Sequence, residues 1–256
     1  MSHSLDRAET MRRIPGTYDA GRADALRRTC VPNEADAMRE RLREQYRRRF
    51  ASDHADRNAV WSVLVDAWFS RYLRDAQAVL DLGCGWGHFI NNVDVPHRFA
   101  LDLNPDARAH LDPGVRLLLQ EASQRWPLED GSLDVVFTSN FLEHLPDRDA
   151  IASALCEAGR CLRPGGRIVC LGPNIRCVGG AYWDFFDHLV PLTERSLAEA
   201  LEVTGFRTEE VVARFLPFTM VGRPTPPAVA IRAYLRLRPA WRLFGRQFLV
   251  VGCKPV

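Results

Sequence analysis

The sequence predicts an α/β protein in which a doubly wound parallel sheet is covered by helices on both faces and preceded by a helical extension. Three observations lead there. From about position 77 onward, short apolar runs alternate with longer segments whose apolar residues recur at helical spacing. Residues 79–87, Val-Leu-Asp-Leu-Gly-Cys-Gly-Trp-Gly, end an apolar run in Asp81 and follow it at once with Gly83, Gly85 and Gly87. That reads as a buried strand, a turn that needs glycine, and a helix starting near His88-Phe89-Ile90 with its amino end toward a ligand. Finally, 256 residues with 46% hydrophobic content suffice for one such domain with additions.

The elements follow in order. Residues 1–33 mix Pro, Gly and charge without a period and read as a loosely ordered segment. Between Glu34 and Phe50, Met38, Leu42, Tyr46 and Phe50 recur every four residues, which predicts an amphipathic helix with a solvated arginine-rich face. A second helix is expected near 57–73, with Val60, Trp61, Leu64, Val65, Trp68, Phe69 and Tyr72 on a wide apolar stripe. Residues 34–75 are therefore expected to form a helical cover or lid, and residues 76–256 the main domain. Strands are expected near 77–82, 97–103, 114–120, 132–139, 166–172 and 206–214, and at 247–253. Helices should fill the gaps, most clearly at 149–162, 193–204 and 227–243, with Leu162-Arg-Pro-Gly-Gly166 as a stop signal.

Composition excludes several classes. No stretch approaches eighteen uncharged apolar residues, so no membrane span is expected, and the first residues lack the apolar core of a secretory signal. Seven scattered cysteines without a C-x-x-C pair argue for a reduced, cytoplasmic setting and against zinc, and no metal is expected. Charge is segregated: residues 56–210 hold 14 Arg against 23 acids, whereas residues 211–256 hold seven Arg and one Lys and no acid.

The glycine spacing selects the ligand. A dinucleotide turn wants G-x-G-x-x-G, but here the third glycine comes one residue early and position 88 is His. No Gly-Lys-Ser/Thr follows, so it is not a P-loop. The D-x-G-x-G-x-G pattern resembles motif I of class I S-adenosylmethionine-dependent methyltransferases. About twenty residues on, Phe99-Ala-Leu-Asp102-Leu-Asn-Pro-Asp106 resembles the strand whose terminal acid accepts hydrogen bonds from both ribose hydroxyls in such enzymes. Thr138-Ser-Asn-Phe-Leu-Glu-His-Leu145 resembles the S-N-x-L-E-H-L stretch of many small-molecule methyltransferases, and Leu171-Gly-Pro-Asn174 closes the next strand in the same style. The resemblance implies a Rossmann-like sheet of seven strands with the last one antiparallel, and S-adenosyl-L-methionine as cofactor.

Residue by residue, it implies a cofactor set of Asp81, Gly83, Cys84, Gly85, Gly87, Asp102, Leu103, Glu121, Ala122 and Asn140. Glu121 stands where the family has an Asp that meets the adenine amino group, and Ala122 offers only its backbone N–H. Asp81, Asp102, Glu121, Asn140 and Asn174 all fall at expected carboxyl ends of strands, where ligands lie in such sheets.

The sulfonium methyl is already activated, so the protein must align an acceptor, exclude water and, for a hydroxyl, remove a proton. His144, four residues after Asn140, is the expected catalytic base; local packing is its other reading. In Tyr182-Trp-Asp-Phe-Phe-Asp-His-Leu189, the rings of Tyr182, Trp183, Phe185 and Phe186, with His188, are expected either to wall an acceptor pocket or to plug a loop. Adjacent Asp187 and His188 make no dyad by themselves. Arg232 and Arg236, four apart, would suit an anionic acceptor. The expected function is methyl transfer to a small molecule, on oxygen of a sugar or another specialised metabolite. Nucleic acid is disfavoured by the acidic centre and the lack of an RNA-binding module. An RNA methyltransferase and a cofactor-binding protein without transferase activity remain the alternatives.

Overall fold

The computed structural model describes residues 54–218 and 225–256, together with the isolated positions Ala37, Arg41 and Glu44. The expected segment 1–33 and the expected helix over 34–50 lie outside the described residues. Met1–Ser52 and Asp53–Val256 separate as two units, and the second holds the architecture set out below.

Among the described residues seven strands form one sheet: β1 (Ala78–Leu82), β2 (His97–Asp102), β3 (Val115–Leu119), β4 (Leu133–Ser139), β5 (Leu162–Pro173), β6 (Arg207–Val212) and β7 (Gln247–Cys253). Their order is β3-β2-β1-β4-β5-β7-β6. The pairs from β3 to β5 are parallel, and β7 is inserted antiparallel to both β5 and β6. This is the Rossmann-like sheet that the resemblance implied, with the last strand reversed.

All five residues of β1 are buried, as a central parallel strand requires. Its side chains alternate between two cores: Val79 joins one, Ala78, Leu80 and Leu82 the other, and Leu249 and Val251 of β7 separate from Phe248 and Val250 in the same way. One face is covered by α1 (His54–Leu64), which runs on through a π turn, Val65–Phe69, to Leu73, and by α4 (Ala228–Arg236) and α5 (Arg238–Phe244). The other is covered by α2 (Arg148–Cys161) and α3 (Glu194–Val203). Each of these two begins at a side-chain cap: Asp147 accepts from Ala150 N–H, and Thr193 and Ser196 form a reciprocal capping box.

The structure corrects several expectations. No α-helix follows the glycine turn; the chain makes only a 3₁₀ turn, Ile90–Asn92. Asn92 bonds back to the His88 carbonyl at 2.9 Å, and the following Val-Asp-Val-Pro disfavours helix before the chain reaches β2. The links after β2 and β3 likewise hold no α-helix.

From Val60 on, the segment expected as a lid packs into the core, with Val60, Leu64, Val65, Trp68 and Phe69 buried. Trp68 stands 5.1 Å from both Phe215 and Trp241, and Phe69 5.1 Å from Phe137. The π turn brings Val65, Trp68 and Phe69 onto one buried face.

The expected helix over 227–243 is two, parted at Leu237 because Pro239 cannot continue α4. α2 ends at Cys161, where Leu162-Arg-Pro-Gly-Gly166 was expected to stop it, but β5 starts at Leu162 and not at 166.

Asn174, expected among the ligand-facing strand ends, is instead fully buried and turned inward. Its amide donates to Glu194 Oε2 (2.6 Å) and the Ala213 carbonyl (2.9 Å), and its oxygen accepts from Arg176 N–H. Glu194 is itself buried and takes a second contact from Arg176 at 3.0 Å. Asn174→Ala should lower unfolding stability by about 2–3 kcal/mol, since it leaves a buried carboxylate short of a donor. A urea midpoint that falls with an unchanged slope is the expected result.

Candidate active site

The turn after β1 is laid across the end of β2. Gly83 N–H donates to the Leu101 carbonyl at 2.8 Å, and Gly85 N–H donates to Asp102 Oδ2 at 2.8 Å. Such a path needs left-handed backbone: φ is +72° at Gly83 and +52° at Gly85. A Cβ on Gly83 would lie 2.1 Å from the ring of Phe141, so that ring rests directly on the glycine. Phe141 sits just beyond β4 and was not singled out by sequence. Only the paired geometry of two distant turns reveals it.

Asp102 ends β2 with its second oxygen accepting Asn104 N–H at 2.8 Å. Burial pushes its carboxyl up, and the main-chain N–H groups of Asn104, Gly85 and Leu103 oppose this. Asp81, 3% exposed, is pushed up to about 8 by burial first and the neighbouring Asp102 charge second. Cys84 lies between them, buried, its thiol raised by burial and then by both acids, so it is inert. A buried and a half-buried carboxylate beside a glycine turn suit a ligand that brings hydroxyls and positive charge. A ribose joined to an amino acid and a sulfonium supplies both, so these residues fit S-adenosylmethionine.

The other sequence-assigned residues spread along the same edge. Leu103 is half exposed, beside Asp102. Glu121 follows β3, and its Oε2 accepts from Gln124 at 3.3 Å. Ala122 is buried, and its carbonyl is taken by Trp126 Nε1 at 2.9 Å. Asn140 is exposed in left-handed backbone, φ +49°, and its N–H donates to the Leu171 carbonyl, joining the ends of β4 and β5.

After Asn140 the chain makes a 3₁₀ turn, Leu142–His144. His144 Nδ1 lies 2.8 Å from the Asp187 carbonyl, so it carries the hydrogen and leaves Nε2 as an acceptor. The Glu143 carbonyl accepts from Leu189 and Val190 N–H, which holds the segment after β5 against this turn. Thus His144 and His188, far apart in sequence, stand with ring centroids 4.9 Å apart. Glu143, quoted within its motif but given no role there, is buried between them, its carboxyl raised by burial with His144 opposing.

The aromatic segment divides. Tyr182 is a core residue, fully buried with its hydroxyl donating to the Val190 carbonyl at 2.6 Å; it walls no open pocket. Trp183 and Phe186 are exposed, and Phe185 stacks on His188. Arg232 and Arg236 do share a cleft, of about 530 Å3, with Asp66, Arg71 and Arg238. It lies among the covering helices, not at the strand ends, and Asp66 pairs with Arg232 at 2.7 Å.

A family model described as a methyltransferase domain matches residues 80–170, from β1 into β5. Residues 80–170 thus form a methyltransferase domain of the class I S-adenosylmethionine-dependent kind. Its cofactor is S-adenosylmethionine. A probable S-adenosylmethionine-dependent methyltransferase of Mycolicibacterium smegmatis is 33% identical over 54% of this chain and 54% of its own length. A malonyl-[acyl-carrier protein] O-methyltransferase of Hahella chejuensis is 34% identical over 37% of this chain and 36% of its own. The aligned part thus spans about half or less of these two relatives. A solved methyltransferase structure from Thermotoga maritima, titled a possible histamine N-methyltransferase, shares the fold. Its TM-score is 0.58 at 21% identity, covering 84% of this chain and 97% of that one. No helix among the described residues is long and apolar enough to cross a membrane.

Two outcomes follow for the cofactor end. Asp102→Ala removes a charged acceptor for two hydroxyls, worth about 1.5 kcal/mol each, so calorimetry should show affinity for S-adenosylmethionine falling on the order of 100-fold. Asp81 keeps its proton in the folded chain up to about pH 8, whereas an unfolded chain releases it near 3.8. Its contribution to stability therefore declines as pH rises through that window. A cation bound beside it reverses the shift, so cofactor binding should release a proton below pH 8 and tighten as pH rises toward 8. Calorimetry in buffers of different ionisation enthalpy reads that proton.

Proposed function

We propose that this chain transfers the methyl group of S-adenosylmethionine to a small-molecule acceptor, with oxygen of a sugar or other specialised metabolite as the site of methylation. The observation that carries the reading is the pair of carboxylates at the glycine turn, Asp81 buried and Asp102 half-buried, with an imidazole turn immediately beyond β4. When bound, the cofactor supplies an electrophilic methyl. Asp102 accepts the ribose hydroxyls, Asp81 balances the ammonium, Glu121 and the Ala122 N–H take the adenine edge, and Asn140 lies along the methionine end. His144 is the catalytic residue of this reading: its Nε2 lone pair meets the acceptor hydroxyl, while the Asp187 carbonyl fixes the ring from behind.

Oxygen as the target draws support from the O-methyltransferase among the relatives, and a small acceptor from the exposed Trp183 and Phe186 in the segment that also carries His188. The acceptor's charge is no part of the reading, because the arginine cleft lies on other elements.

The test is acceptor-dependent formation of the demethylated cofactor. The protein is incubated with methyl-labelled S-adenosylmethionine and panels of hydroxylated, amino and RNA acceptors, and the label is followed. Label in hydroxylated small molecules supports the proposal. Label in RNA or in amines alone replaces it, and tight cofactor binding with no transfer leaves a binding protein. His144→Ala should lower kcat on the order of 100-fold while leaving cofactor affinity intact.

A further inference from the structure

We propose that Glu143, His144 and His188 form a binding site for one divalent transition-metal ion, whose open position holds an oxygen of the acceptor. One ligand atom from each of the three lies within 4.8 Å of the others. The set is a carboxylate and two imidazoles, the donor chemistry of sites that keep open positions on zinc or ferrous iron. Sequence spacing gives no sign of it, since β5 and the loop after it separate the two histidines.

Three further observations make this a built site. Glu143 is 2% exposed, and its Oε1 is buried without a hydrogen-bond partner among the described residues. A buried carboxylate oxygen left so is costly, and a cation removes the cost. His144 has its Nδ1 held by the Asp187 carbonyl at 2.8 Å, which directs Nε2 outward as a ligand; metal-binding histidines are oriented through the second nitrogen in this way.

His188 is 7% exposed and boxed by rings, with Tyr182 at 4.6 Å and Phe185 at 4.9 Å. The whole cluster is closed by the bonds from Leu189 and Val190 N–H to the Glu143 carbonyl at 2.8 and 3.1 Å. Asp187 Oδ2, 3.6 Å from His144 Nδ1, adds a second negative charge nearby. Metal–ligand bonds of about 2.0–2.1 Å need ligand atoms closer than the present spread, which side-chain rotation supplies.

His144 is the most open of the three, its side chain 29% exposed, so a remaining coordination position faces outward past it. Coordination occupies the Nε2 lone pair, so with the ion bound His144 is a ligand and not the base, and the acceptor hydroxyl held on the ion releases its proton to solvent. That use rests on the methyl-transfer reading, whereas the ion site itself rests on the side chains alone.

The test uses tag-free protein, stripped with a chelator and titrated with cobalt chloride and then zinc chloride. Calorimetry follows stoichiometry, and visible absorption follows the cobalt site. One equivalent of cobalt with a coordination spectrum, displaced by zinc, is expected. Glu143→Gln and His188→Gln should weaken binding by about 10-fold or more, and His144→Ala, at the least buried position, should do the same. Circular dichroism and S-adenosylmethionine titration check that each variant is folded.

No stoichiometric ion in the parent, or binding unchanged in folded variants, overturns the proposal. Ion binding in a parent that binds no cofactor sinks the methyl-transfer reading and leaves the ion site standing. Transfer activity that survives complete metal removal, beside a confirmed ion, removes the acceptor role assigned to it.

Discussion

The glycine turn between β1 and β2 is the constraint on which the rest of the molecule depends. It must cross the end of β2 closely enough for Gly83 N–H to reach the Leu101 carbonyl and for Gly85 N–H to reach the Asp102 carboxylate. Any side chain at Gly83 would collide with Phe141, so the β4 turn can approach only because that position has no Cβ. Two turns from opposite sides of the sheet's switch point are thereby brought into contact, and the proposed cofactor site lies where they meet.

The same crevice gathers acids that pair with no arginine among the described residues. Asp81 is buried and Asp102 half-buried at the carboxyl end of the central strands, and each is bonded mainly by backbone N–H. Structural carboxylates elsewhere are treated differently. Glu157 and Asp130 share Arg160, and Asp134 pairs with Arg163. Arginine thus satisfies the acids that hold elements together, while the acids at the crevice await a partner from outside. Glu143 belongs to the second group, and its neighbours are imidazoles.

Aromatic packing explains why the helix before β1 is inseparable from the sheet. Phe137 of β4 stacks on Phe89 and meets Phe69 and Trp61 edge-on, and Trp68 joins Phe215 and Trp241. These rings fill the face that a helix after the glycine turn would otherwise cover. The short 3₁₀ turn at Ile90–Asn92 and the π turn at Val65–Phe69 are complementary: one element withdraws, and the other widens its buried side to compensate.

The sequence by itself determined what depends on local pattern. The seven strands, the capped helices α2 and α3, the glycine turn and the acid ending β2 were all legible, because period, caps and glycine spacing are properties of consecutive residues. Tertiary structure decided the rest. Asn174 and Tyr182 looked like ligand-facing residues because strand-end and loop positions say nothing of direction, and buried partners turned both inward. The meeting of Glu143 and His144 with His188 required the backbone bonds from Leu189 and Val190, a contact between segments with no shared period. Patterns along the chain encode elements, whereas the chemistry of a site is set by distances between elements, and those exist only once the sheet has closed around its two cores.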